Sequence, residues 1–122
     1  VLGQALGKAL GDKAGINRYG HIILPMDEAL VMLVVDMSGR PFLSYDVPLP
    51  SSKVGNFDTE LTEEFVRALA TNAGLTLHIK LLAGQNTHHI IEAVFKGLGR
   101  VLRAATALDK YCRGIPSTKG IL

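Results

Sequence analysis

Cysteine is nearly absent from this 122-residue chain: Cys112 stands alone, so no internal disulfide staples the fold, and a reducing compartment, the cytoplasm, is expected. Long hydrophobic runs are missing too. The longest, Ala29 to Val35, has seven residues, against the roughly 20 that a membrane-spanning helix needs. With no charged-then-apolar leader in the sequence, neither membrane insertion nor export is expected. Charge of one sign is not in excess: thirteen Lys and Arg face eleven Asp and Glu, a formal net of +2. The concentrated basic field of a nucleic-acid binder is therefore lacking. Walker-type loops, GxGxxG, paired CxxC and GxSxG do not occur, which removes the usual support for nucleotide, structural-zinc and serine-hydrolase readings. What is present, 48% hydrophobic and 20% charged residues in 13.1 kDa, suits one globular domain with a packed core.

Leu2, Leu6 and Leu10 recur at helical spacing, giving an amphipathic helix over 1–10 that ends at Gly11 or Gly15. It opens at Val1 without a capping residue, which suggests a missing N-terminal portion. Strands are predicted over Arg18–Leu24, ended by Pro25, over Ala29–Met37 and over Phe42–Val47. The turn cluster Asp36-Met37-Ser38-Gly39-Arg40-Pro41 predicts a hairpin between the second and third. Beyond the polar loop 48–56, a helix over Thr59–Asn72 has the stripe Leu61, Phe65, Ala68 and Leu69, with Gly74 placed as its C-cap. A strand over Leu75–Leu82 precedes a long helix from Thr87 to about Leu108, capped by Asn86 or Thr87. The tail from Tyr111 to Leu122 reads as irregular and exposed. The order α-βββ-α-β-α implies an α+β two-layer sandwich, helices covering one face of an at least partly antiparallel four-stranded sheet.

The segment His88-His89-Ile90-Ile91-Glu92 carries the chemistry. At about 100° per residue it sets His88, His89 and Glu92 within one arc of the helix, with Lys96 alongside. Ile90, Ile91, Val94, Phe95, Leu98, Val101 and Leu102 form the opposite, core-facing stripe. Imidazole and carboxylate are ligands for Mn, Fe or Zn, and adjacent histidines diverging by about 100° suit two neighbouring ions. Taken alone, HHxxE reads equally as solvated side chains. Glu64 and His78 are further candidate ligands, though each by itself is an ordinary surface residue type. Arg18, Arg40, Ser117 and Lys119 sit at turns or strand ends, where side chains and amides converge on anions or are simply exposed.

Taken together, Gly15-Ile16-Asn17-Arg18-Tyr19-Gly20, Pro25-Met26-Asp27-Glu28-Ala29-Leu30, Asp36-Met37-Ser38-Gly39-Arg40-Pro41, Phe57-Asp58-Thr59-Glu60, Asn86-Thr87-His88-His89-Ile90-Ile91-Glu92-Ala93 and Pro116-Ser117-Thr118-Lys119-Gly120 closely resemble the imidazoleglycerol-phosphate dehydratases, over essentially the whole chain. The resemblance implies a duplicated β-β-β-α-β-α unit, ribosomal protein S5 domain 2-like, each copy with its own HHxxE. Residues 1–14 then correspond to the last helix of a first repeat and 15–122 to a complete second repeat. The first HHxxE, a further histidine ligand and an N-terminal acid/base glutamate of the family lie outside this sequence.

By position, the resemblance makes His88, His89, Glu92 and Glu64 metal ligands, and Arg18, Arg40, Lys96, Ser117 and Lys119 the holders of the substrate phosphate. Glu92 is also the resident candidate for proton transfer, and His78 receives no metal role. Two manganese ions per complete site are implied, Fe and Zn being compatible with the same donors. The reaction removes a proton from a carbon that no carbonyl acidifies, so the imidazole ring must serve as electron reservoir. The resemblance implies that metal held by these ligands would favour the imidazolate form of the ring, which would expel the side-chain hydroxyl to give a diazafulvene, proton loss then giving an enol that ketonises. Phosphate binding would supply positioning. A large homo-oligomer with sites assembled between subunits, a twenty-four-subunit octahedral assembly in the family pattern, is implied as well. Two other expectations stand beside this lyase. The chain by itself is a half-enzyme that folds and self-associates without turnover; or the same residue types serve a metal-dependent hydrolase of a phosphorylated small molecule.

Overall fold

The computed structural model describes residues 1–111 and 113–122, so Cys112, and the disulfide question with it, lies outside the described residues. The elements are α1 (Leu2–Leu10), β1 (Tyr19–Met26), β2 (Ala29–Asp36), β3 (Phe42–Asp46), β4 (Lys53–Val54), β5 (Phe57–Asp58), α2 (Glu60–Ala73), β6 (Thr76–Ala83) and α3 (Thr87–Thr106). A four-stranded mixed sheet in the order β1-β2-β6-β3 carries helices on one face, the α+β sandwich expected from the sequence. The short β4–β5 hairpin, set apart from it, lies within and just after the stretch read as a polar loop.

The predicted hairpin between β2 and β3 does not form. β2 pairs antiparallel with β1 on one side and with β6 on the other, leaving it no free edge, and β3 instead pairs parallel with β6. The Ser38–Pro41 turn is real but serves a crossing: Gly39 N–H donates to Gly74 O and Phe42 N–H to Leu75 O, carrying the chain past β6. Pro25 does not end β1, which runs on to Met26. β1 is an edge strand, where a residue without an N–H is tolerated.

Alternation places Ala29, Val31, Leu33 and Val35 of β2 and Leu77 and Ile79 of β6 on the helix side, where they are buried. From α3 they meet Ile90, Ala93, Val94, Leu98, Val101 and Ala105. β1 approaches α3 so closely that a Cβ at Gly20 would collide with the Val101 carbonyl. Phe95, predicted on the buried stripe, lies at its margin, 38% exposed.

On α2 the predicted stripe is displaced by one residue: Thr62, Val66, Leu69, Ala70 and Ala73 are buried, while Leu61, Phe65 and Ala68 face outward. Two apolar rows overlap on this helix, and the outer one meets α3 through Phe65 and Phe95, their ring centroids 5.6 Å apart. Gly74 is the left-handed C-cap expected (φ 70°). No helix among the described residues is long and apolar enough to cross a membrane.

The tail is irregular, as read, but not free. Pro116, Ser117 and Leu122 are partly buried, and cationic side chains donate to the carbonyls of Pro116 and Leu122.

Candidate functional site

Asn86 caps α3, its side-chain oxygen accepting from His89 N–H at 3.0 Å, and so fixes the histidine pair in the first turn. His88 Nε2 lies 3.2 Å from Glu92 Oε2, and Lys96 Nζ 2.9 Å from Glu92 Oε1. These side chains share the outward arc expected from helical spacing. His89 turns to the β1–β2 connection, where Nδ1 meets Glu28 Oε1 at 2.6 Å and Nε2 lies 3.4 Å from Asp27 Oδ2. Asp27 adopts a left-handed backbone (φ 52°) that tightens this two-residue turn beneath α3.

The Glu28 hydrogen bond raises the His89 pKa, helped by the charges of Asp27 and Glu92 and opposed by partial desolvation. The hydrogen bond from Lys96 is the first cause holding Glu92 below the ordinary carboxylate range, with His88 adding to it. Residue type and spacing assign Asp27 and Glu28 no role. Only their place in a tight turn between two strands pointed to them, and that says nothing of the helix they meet.

Imidazole and ionised carboxylate are donor types that suit Mn, Fe or Zn, and a carboxylate on the Nδ1 side of His89 is the arrangement that orients a ligating imidazole. The fit is partial. Among the described residues no group of three or more His, Cys, Asp or Glu is gathered so as to hold an ion. Glu64 stands on α2 beside Glu60, Glu63 and Arg67, and among the described residues no hydrogen bond or ion pair joins it to the histidines. His78 is on the outer face of the sheet, its ring 5.4 Å from that of Phe42.

A second cluster forms a cavity of about 550 Å³ lined by Arg18, Arg40, Pro116, Ser117, Thr118, Lys119 and Ile121. Four of the five residues assigned to the phosphate are thus gathered, whereas Lys96 lines a different groove on α3. Ser38 accepts from Arg40 N–H at 3.0 Å and is itself anchored to Thr76 at 2.7 Å, which fixes the backbone from which the Arg40 side chain projects. Arg18 is differently engaged. Its guanidinium donates to both oxygens of Asp36, at 2.6 and 3.2 Å, and to the Pro116 carbonyl at 2.9 Å. Arg40 and Lys119, both exposed, are the cations of this wall for which no ion pair is formed among the described residues.

Residues 1–102 match the family model described as imidazoleglycerol-phosphate dehydratase. A relative of that name from Desulforamulus reducens is 63% identical over 122 residues, 100% of this chain and 62% of its own length. Another from Desulforudis audaxviator is 64% identical over 121 residues, covering 99% of this chain and 61% of its own. Among solved structures, the Staphylococcus aureus imidazoleglycerol-phosphate dehydratase superposes with a TM-score of 0.86 at 52% identity, over 88% of this chain and 63% of that one. The Pyrococcus furiosus structure, determined in complex with (S)-C348, gives 0.83 at 44% identity, over 99% and 68%. The chain thus spans about three fifths of the relatives' length, 62% of the Desulforamulus reducens protein.

Proposed function

Because the chain belongs to the imidazoleglycerol-phosphate dehydratase family, we propose that it contributes to the dehydration of imidazoleglycerol phosphate to imidazole-acetol phosphate and water, in cytoplasmic histidine biosynthesis. The observation that supports this reading most is the gathering of Arg18, Arg40, Ser117 and Lys119 around one cavity, on a chain that also presents His88, His89 and Glu92 outward. One cluster suits a phosphate, the other a metal-bound imidazole.

In this reading Arg40, Lys119 and the Ser117 hydroxyl hold the phosphate, and Arg18 shapes the wall that presents them. His88, His89 and Glu92 hold manganese, with Glu28 orienting the His89 ring. When bound, the metal supplies Lewis acidity at the substrate ring nitrogens, the electron sink that loss of this hydroxyl requires. Glu92, kept ionised by Lys96, suits ligation; the same depression makes it a weaker proton acceptor. Glu64, which forms no hydrogen bond or ion pair with these ligands among the described residues, would serve the site of another subunit in a homo-oligomer whose sites form between copies.

A chimera in which these residues replace the matching part of the Desulforamulus reducens relative is the test. With Mn²⁺ it should convert imidazoleglycerol phosphate to imidazole-acetol phosphate. Release of inorganic phosphate in place of that product would instead support the hydrolase, and no product at all would overturn both readings.

A second reading concerns the chain by itself: a half-enzyme that folds and self-associates but does not turn over. It is favoured by the incomplete donor set among the described residues and by exposed Leu61, Phe65 and Phe95 on the helical face. The unfused chain should then be inactive under conditions where the chimera works.

A further inference from the structure

Lys13 is a lysine with 7% relative exposure and a left-handed backbone (φ 63°), in the connection between α1 and β1. Lysines are rarely buried without a partner, because desolvating an ammonium is costly. Its Nζ donates to the Leu122 backbone oxygen at 2.9 Å, across a sequence separation of 109 residues. Arg18 holds the other end of the same segment through the Pro116 carbonyl, at 2.9 Å.

Between these two anchors lie Ser117 and Lys119, and the segment folds on itself there. Lys119 N–H donates to Ser117 Oγ at 3.2 Å and Gly120 N–H to Ser117 O at 3.1 Å. Leu122 is seated against Gly39 (φ 77°), where a Cβ would come within 2.5 Å of the Leu122 oxygen. Gly39 immediately precedes Arg40, so the seat of the tail end and the opposite wall of the cavity are one piece of backbone. Burial and the nearby Arg18 charge lower the Lys13 pKa, while Asp36 opposes them. The ammonium therefore stands beside the Arg18–Asp36 pair and is not an isolated surface charge.

We propose that Lys13 is a positioning residue for the phosphate cavity: with Arg18 it clamps both ends of residues 116–122, so that Ser117 and Lys119 face Arg40 in one fixed arrangement. Lys13 itself does not line the cavity, and acts on it through the tail. That its purpose is phosphate binding rests on the functional reading above; the clamping itself does not.

The test uses the chain with Lys13→Met and Lys13→Arg, and reads two quantities beside the melting temperature. One is the Kd for inorganic phosphate; the other is the rate of tryptic cleavage after Lys119, followed by mass. Lys13→Met should weaken phosphate binding and speed that cleavage, each about tenfold, the loss of one hydrogen bond to a charged donor. Lys13→Arg, which keeps charged donors, should restore both to near the parent values. If Lys13→Met does not fold, Lys13→Asn, which suits a positive φ, carries the same expectations. Parent-like cleavage and phosphate affinity in the folded neutral variant would overturn the proposal. A parent chain that binds no phosphate would overturn the phosphate reading alone, since the cleavage rate still decides the clamp.

Discussion

Arg18 and Asp36 face each other across the base of the tail, Nε and Nη2 of the arginine meeting the two carboxylate oxygens at 2.6 and 3.2 Å, with both side chains mostly buried. The third bond of the guanidinium runs to the Pro116 carbonyl, so the pair ties the start of β1, the end of β2 and the tail into one joint. Replacing Asp36 by Asn leaves a largely buried cation without its counter-charge. Urea denaturation should show a loss of about 1–3 kcal/mol for Asp36→Asn, and Arg18→Lys, which keeps the charge but not the paired geometry, should also be destabilised.

Arg40 and Lys119 are exposed and form no ion pair among the described residues, which leaves their donors available to an anion. Arg40→Ala and Lys119→Ala should each weaken phosphate binding to the chain by roughly tenfold or more, at a cost in folding stability of no more than about 0.5 kcal/mol. Calorimetric phosphate titration beside thermal melting separates the two effects.

His89 is held toward its charged form chiefly by the Glu28 hydrogen bond, with Asp27 and Glu92 adding to it. Its pKa in the folded, metal-free chain is therefore above the ordinary histidine value of about 6.5. The sign follows: the stabilisation is complete below the unfolded pKa and is lost as pH rises through the higher folded value. NMR titration of the ring should give a midpoint that falls toward the ordinary value in Glu28→Gln. Because a ligating imidazole must be neutral, metal affinity should rise as pH passes through the same midpoint.

Tyr45 is pushed up to about 12, first by burial of its ring and then by the Glu63 charge, and its hydroxyl has no hydrogen-bond partner among the described residues. Native protein holds this proton more tightly than unfolded chain, so stability should fall as pH rises from about 10 toward 12. Phenolate absorbance should show a late ionisation near that value, missing from Tyr45→Phe. That variant loses a buried hydroxyl with no partner, so it should be no less stable than the parent.

Much of this was legible locally. Asn86 before an apolar 3.6-residue rhythm announced α3 and, with it, which way His88 and Glu92 point. Gly74 announced the end of α2. The Ser38–Pro41 turn was equally visible, but turn chemistry tells where a chain bends and not which strand it will meet. β6, forty residues further on, takes the edge of β2 that a hairpin would have used. α2 failed for another reason: it has two apolar rows, and Thr62, a poor marker of a core, belongs to the buried one.

The site divides along the same line. Arg40, Ser117 and Lys119 were found from motifs and do share a cavity. Glu28 and Lys13 were not, because each acts through a partner 61 or 109 residues away that only the fold supplies. Arg18 was found, yet its engagement with Asp36 was not, since nothing in the local sequence says that a turn arginine will be neutralised by the end of the next strand.

If the outward face of α3 carries the proposed dehydration, the place to see it is turnover of imidazoleglycerol phosphate by the chimera with His89→Ala, Mn²⁺ being supplied at saturation. The expected result is a folded protein whose kcat is lower by about a hundredfold or more. A His89→Ala chimera that dehydrates the substrate at the parent rate would contradict it.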